Sequence, residues 1–97
     1  MLEVIDSFSI TESVADELAP RDLHLTAGLW FVIGGRPSLC ELPVPGEIVT
    51  IYLPDSSEIE AQMVDVQVRH GVAAIRLRTD TNGMIPRLSK IMRNANS

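Results

Sequence analysis

The feature that most constrains the fold of this chain is the recurrence of apolar residues at every second position through most of its length. Three segments show the alternation most clearly, and their apolar rows are Leu23, Leu25, Ala27, Leu29 and Phe31; Val49, Ile51 and Leu53; and Ala73, Ile75 and Leu77. Because successive side chains of a strand point to opposite faces, this period predicts strands that each bury one face. We therefore expect a mainly β fold.

The first twenty residues predict one more strand and a short helix. Residues 1–10 alternate, apart from Asp6, which interrupts an apolar row that we place on a single face: Leu2, Val4, Phe8 and Ile10. Residues 11–20 then offer Thr11 or Ser13 as a helix N-cap and Pro20 as a stop, so a helix of about two turns is expected there.

The middle of the chain predicts a long loop followed by two hairpins. Glycines and prolines prevent regular structure across most of residues 34–46, and PDSS at 54–57 is a turn in which Asp55 can bond the backbone. The apolar row changes phase near Met63, which predicts a β-bulge. RHG at 69–71 predicts a tight turn into the last strand of the series, with His70 as a turn residue.

The last part of the chain changes period and predicts a helix at about 83–94. One face of that helix would carry Met84, Ile85, Leu88, Ile91 and Met92, and the opposite face Arg87, Lys90 and Arg93. Residues 1–97 are thus expected to form a single domain, a small antiparallel β-barrel closed by a C-terminal amphipathic α-helix.

Composition narrows the classes of function. The net charge of −5 disfavours binding to nucleic acid polymers and membrane surfaces, which both require a basic face, although the segment from Arg69 to Arg93 is locally basic. Cys40 is the only cysteine, which favours a reducing compartment, the cytoplasm. The apolar runs are too short for membrane insertion.

Few residues suggest chemistry. His24, His70 and Cys40 have no spacing typical of a metal site or a nucleophile, so we expect no catalytic residues, no metal and no cofactor.

Arg76 and Arg78 lie two apart on a strand and could clamp a phosphate or carboxylate together. The alternative is a solvated face with Asp65 or Glu60 as partners. Trp30 lies off the main apolar row, either packed under a loop or helix or exposed as a binding anchor.

RDLHLTAGLWF, at residues 21–31, resembles the core signature of PilZ domains, small bacterial β-barrels whose commonest form reads Asp-x-Ser-x-x-Gly before an alternating strand. Asp22 matches the acidic position, His24 replaces the serine, and Ala27 stands where the glycine is expected, with Gly28 one place later. Downstream, GEIVTIYLPDSSEIEAQMVDVQVRHGVAAIRL resembles the two-hairpin end of that barrel, and MIPRLSKIMR resembles its closing helix.

The resemblance implies one of two functions, binding of cyclic di-GMP or binding of another protein. PilZ domains that bind cyclic di-GMP carry Arg-x-x-x-Arg before the strand, but only Arg21 is present here. Some PilZ-like domains lack these arginines and act through protein contacts, and this chain resembles them more. We therefore interpret the chain as a non-enzymatic adaptor or regulatory domain for signalling, which binds an unidentified protein through the barrel rim and a basic helix face formed by Arg87, Lys90 and Arg93.

Two alternatives stay open. One is a cyclic di-GMP receptor with a rearranged arginine clamp, whose candidate ligand-binding residues are Arg21, Asp22, His24, Arg76 and Arg78. The other is a structural barrel subunit of a phage or plasmid assembly, which would form a homo-oligomer.

Overall fold

The structure is a computed structural model that describes residues 1–18, 25–79 and 85–94. Within these residues the fold is mainly β. Its elements are β1 (Leu2–Ile10), α1 (Glu12–Leu18), β2 (Gly28–Ile33), a single 3₁₀ turn (Leu39–Glu41), β3 (Ile48–Tyr52), β4 (Glu58–Arg69), β5 (Val72–Thr79) and β6 (Lys90–Arg93).

The six strands form one antiparallel sheet that closes into a ring in the order β1-β2-β5-β4-β3-β6. The final strand, β6, closes the ring because it pairs with β3 on one side and with the start of β1 on the other. The prediction of a mainly β fold is confirmed.

The core lies inside the ring. Leu2, Ile91, Ile51 and Ile59 are successive partners across β1, β6, β3 and β4, so they form one row on the inner face. Ile51 and Ile91 are almost completely buried. Burial of an aliphatic side chain of this size contributes about 1.5–3 kcal/mol, so Ile51 and Ile91 both stabilise the closed ring.

A β-bulge divides β1 between two faces. The register between β1 and β2 shifts between Val4 and Asp6, which leaves Ile5 as an extra residue. Val4 belongs to the buried core, whereas Phe8 lies directly opposite Trp30 on the outer face. The prediction of a single apolar face for β1 is therefore wrong, because the bulge reverses the alternation at the position where Asp6 interrupts the apolar row.

The predicted turns and the predicted bulge of the two hairpins are confirmed. The Asp55 carboxylate accepts hydrogen bonds from both the backbone N–H and the hydroxyl of Ser57. The register between β4 and β5 shifts between Met63 and Asp65, as the change of phase indicated. His70 and Gly71 have φ values of 53° and 78°, and this pair of positive angles is typical of a two-residue type I′ turn.

The short helix α1 is also confirmed. Thr11 is its N-cap, since the Thr11 hydroxyl accepts a hydrogen bond of 3.3 Å from the Val14 N–H. Within the described parts of the chain, no helix has both the length and the apolar character needed to cross a membrane.

The strand expected at residues 23–33 begins at Gly28. Residues 25–27 precede the strand, and residues 23 and 24 lie outside the described part of the chain. Gly28 has a φ of +139°, a value that side-chain-bearing residues rarely adopt. The first residue of β2 therefore has a backbone conformation that favours glycine.

The helix expected at about 83–94 is absent, because residues 85–94 instead contain a turn and the strand β6. The expected apolar face divides: Ile85 and Ile91 are buried, whereas Leu88 and Met92 are exposed, and Met84 lies outside the described residues. An isolated helix of this length is marginal. In contrast, β6 satisfies backbone groups on the edges of both β1 and β3, so tertiary pairing overrides the helical period.

Candidate partner-binding surfaces

Of the predicted site residues, the structure describes Arg76, Arg78, Arg87, Lys90 and Arg93. Arg21, Asp22 and His24 lie outside the described residues. Arg76 and Arg78 lie on β5, while the basic residues of the expected helix are divided between the turn after Ile85, which holds Arg87, and β6, which holds Lys90 and Arg93.

Arg76 holds the segment that leads into β2. Its Nη1 donates to the Thr26 hydroxyl at 2.7 Å and to the Ala27 carbonyl. The aliphatic part of Arg76 covers Gly28, where an added Cβ would lie 3.0 Å from the Arg76 Cδ. The Arg76 guanidinium therefore has internal acceptors, which limits its part in any clamp.

Trp30 completes this internal cluster. Its indole N–H donates to the Thr26 carbonyl at 2.8 Å, and its ring lies parallel to that of Phe8 with centroids 6.4 Å apart. Trp30 is fully buried. Of the two interpretations of Trp30, packing is confirmed and an exposed binding anchor is wrong.

Arg78 differs from Arg76 in that its side chain makes no hydrogen bond or ion pair with any residue in the described ranges. It is exposed and lies opposite Gln62. Arg78 lines a shallow hollow of about 330 Å³ together with Glu60, and a second one of about 420 Å³ together with Arg76. Within the described residues, Arg78 is therefore the arginine of the pair that is available to an anion.

Asp65 was one of two acids expected to pair with these arginines, and its carboxylate bonds to other groups. The Asp65 carboxylate accepts a hydrogen bond of 2.8 Å from the Val66 N–H and one of 3.5 Å from the Thr26 hydroxyl. Asp65 is nonetheless directly opposite Arg76 in the sheet. The two residues therefore meet through the Thr26 hydroxyl, which accepts from Arg76 and donates to Asp65.

Arg93 has an internal role that sequence reasoning missed. It binds the Glu47 carboxylate through Nε and Nη2, each at 2.7 Å, and its Nη1 donates to the Cys40 carbonyl at 3.1 Å. Glu47 is only 8% exposed. The Arg93 hydrogen bonds hold the pKa of the Glu47 carboxyl below its usual value of 4.5, although burial acts in the opposite direction.

The remaining exposed residues around β6 form a mixed apolar and basic surface, here called the β6 surface. It comprises Met1, Arg87, Leu88, Lys90 and Met92. Leu88 is 59% exposed, Met92 is 40% exposed and Met1 is 70% exposed. Lys90 lies between Glu3 and Tyr52 across the sheet, and the Tyr52 hydroxyl lies 4.0 Å from the Met92 sulfur.

Leu88 is held in an unusual backbone conformation on this surface. It has a φ of 76° in a turn that is closed by a hydrogen bond of 3.2 Å from the Ser89 N–H to the Pro86 carbonyl. This turn has the positive φ at its third residue that defines type II, a position that favours glycine. A leucine there is both strained and exposed.

No metal-binding arrangement of three or more His, Cys, Asp or Glu residues occurs within the described ranges. The Cys40 thiol is exposed and lies 3.1 Å from the Ser38 hydroxyl. Comparison of the chain with protein-family models, with curated proteins and with solved structures found no match.

Proposed function

We propose that this chain is a non-enzymatic, PilZ-like adaptor or regulatory domain that acts by binding another protein. A closed ring of antiparallel strands that contains two successive hairpins supports the proposal, because both features are expected from the resemblance. The closing element departs from that pattern, since a strand takes the place of the expected helix.

The observation that carries the proposal is the exposure of Leu88 in a strained turn. A leucine at positive φ costs about 1–3 kcal/mol of stability, and at this exposed position little burial offsets the cost. Leu88 lies on the β6 surface, which also presents two methionines and two cations. Exposed apolar groups beside polar ones, with methionine and arginine among them, are typical of protein interfaces.

The experiment is hydrogen exchange of the labelled chain in buffer and in extract of its own cells. We expect residues 86–93 to be protected in extract, and we expect Leu88→Asp to abolish the protection. Val44→Asp is the matched control, since Val44 is 57% exposed but lies outside the β6 surface. Equal exchange in buffer and extract, or protection that survives Leu88→Asp, would contradict the proposal.

A second candidate is a cyclic di-GMP receptor with a rearranged clamp, which the availability of Arg78 beside the 420 Å³ hollow favours. Calorimetric titration with cyclic di-GMP distinguishes the two candidates. Micromolar binding that is abolished by Arg21→Ala or Arg78→Ala, but not by Arg36→Ala, would replace the adaptor hypothesis. Arg36 is a suitable control because it lies beside the β4–β5 turn, with its Cδ 3.8 Å from the point that an added Cβ on Gly71 would occupy.

A further inference from the structure

One edge of β1 is open over its second half. β1 pairs with β2 from Val4 to Ile10, but with β6 only at Leu2 and Glu3. The turn before β6 extends the second contact by one residue, because the Val4 N–H donates to the Ser89 carbonyl and the Val4 carbonyl accepts from the Leu88 N–H. From Ser7 to Ile10, none of the described residues pairs with this edge.

The hydrogen bonds indicate which backbone groups face the open edge. The Ser7 N–H donates to the Asp6 carboxylate at 2.8 Å, so this N–H is not used in the ladder to β2. Strand residues alternate between the two edges, so Ser7 and Ser9 present their N–H and C=O groups to the open edge, and Phe8 presents its own to β2. Both serine side chains are exposed and small, which leaves room for another backbone.

The charges of β1 and of the helix that follows it disfavour a second copy of the same chain. Residues 1–18 contain five acids and no lysine or arginine, and all five acids are exposed: Glu3, Asp6, Glu12, Asp16 and Glu17. Pairing of two β1 edges would bring two such segments together, and like charges at an interface oppose association. Charged residues and β-bulges are two features that keep an exposed strand edge from pairing with another copy, and β1 has both, in Asp6 and in the bulge beside it.

We propose that the open edge of β1, from Ser7 to Ile10, binds an extended, lysine- or arginine-rich segment of the partner protein as an additional β-strand. This inference rests on the proposed function and names the kind of segment that is bound. The incoming backbone pairs with Ser7 and Ser9, as in other complexes formed by strand addition. A lysine or arginine of the segment takes over the Asp6 carboxylate, which frees the Ser7 N–H for the new ladder.

The test uses a synthetic nine-residue peptide in which lysine alternates with valine or threonine, titrated into the isotope-labelled full chain and followed by NMR. We expect the amide signals of Ser7 and Ser9 to shift. A peptide with glutamate in place of lysine should bind at least about tenfold more weakly. N-methylation of the peptide amides that face β1 should weaken binding about tenfold, whereas N-methylation of the alternate amides should not.

A matched pair of variants tests the same edge from the protein side. Ser9→Pro removes an N–H that faces the open edge and leaves the ladder to β2 intact, so it should weaken peptide binding about tenfold; Ser9→Ala should not. The N-methylated peptides decide the question if Ser9→Pro does not fold.

Three outcomes would overturn the inference. The first is that the lysine peptide does not bind, or binds equally well when the amides that face β1 are methylated. The second is that the glutamate peptide binds as well as the lysine peptide. The third is sedimentation of the chain as a dimer or ring that Ser9→Pro dissociates, which would assign the edge to self-assembly. Protection of residues 86–93 in extract without peptide binding would reject this inference alone and leave the proposed function standing.

Discussion

The Arg93 guanidinium and the Glu47 carboxylate form a two-point ion pair, with both nitrogen–oxygen distances at 2.7 Å. The pair joins the end of β6 to the residue before β3, and the third Arg93 hydrogen bond holds the Cys40 carbonyl of the long loop. The Arg93 side chain thus links β6, the strand that closes the ring, to the loop at residues 34–46, for which the sequence predicted no regular structure.

The two halves of this ion pair should not be equally sensitive to substitution. Arg93→Met leaves the Glu47 carboxylate buried without a cation, whereas Glu47→Gln leaves a half-exposed guanidinium that water can solvate. We expect Arg93→Met to lower the urea midpoint of unfolding more than Glu47→Gln, with Arg93→Lys between them. Equal midpoints for Arg93→Met and the unmodified chain would show that the pair does not stabilise the fold.

The same ion pair predicts a loss of stability in acid. The Arg93 hydrogen bonds hold the pKa of the Glu47 carboxyl below its usual value of 4.5 in the folded chain. A depressed pKa contributes stability above the unfolded value, and this contribution is lost as the pH falls through the folded pKa. Between pH 5 and pH 3, the unmodified chain should therefore lose more stability than Glu47→Gln. Parallel urea titrations of the two proteins measure the difference.

Alanine substitutions distinguish the strand β6 from a helix. Ile91 is buried inside the ring, so Ile91→Ala should cost about 2–5 kcal/mol of unfolding free energy. Met92 is the next residue and points outward, so Met92→Ala should change stability by less than about 0.5 kcal/mol. Similar costs for the two variants would be expected from the apolar face of a helix and would contradict the strand.

Gly28 should not tolerate a side chain. A Cβ at this position would lie 3.0 Å from the Arg76 Cδ, and the φ of +139° is itself unfavourable for alanine. Gly28→Ala should cost about 1–3 kcal/mol. In the double variant with Arg76→Ala, the steric conflict is removed and the backbone strain is retained. A cost in Gly28→Ala that is small, or that is abolished entirely in the double variant, would contradict the strained conformation.

Two substitutions of Leu88 separate the cost of its backbone strain from the contribution of its side chain. Leu88→Gly relieves the positive φ, whereas Leu88→Ala removes the same exposed side chain and keeps the strain. We expect the glycine variant to be about 1 kcal/mol more stable than the alanine variant. The urea midpoints of the two variants measure this difference, and a more stable alanine variant would contradict the turn geometry.

The parts of the fold that could be predicted from the sequence depend on local signals. The bulge near Met63 follows from a change of phase within a single strand, and the His70–Gly71 turn follows from residues that accept positive φ. Neither signal depends on which strands become neighbours.

The parts that were missed depend on distant partners. Residues 90–93 have a helical period when they are viewed with Ile85 and Leu88, but β1 and β3 provide strand partners on both sides. Nothing in the sequence near Glu47 or Arg93 indicates the other, since the two residues are brought together by the closure of the ring. The predicted sites at Arg21, Asp22 and His24 lie outside the described residues.

The place of β6 in the ring has a kinetic consequence. Leu2 and Ile91 pair directly although most of the described residues lie between them in the sequence, so closure requires a long loop. Folds dominated by such distant contacts reach the native state slowly. During synthesis, the first strand must wait for its second neighbour until residues 90–93 have left the ribosome, and over that interval a chaperone or another polypeptide can occupy its unpaired edge.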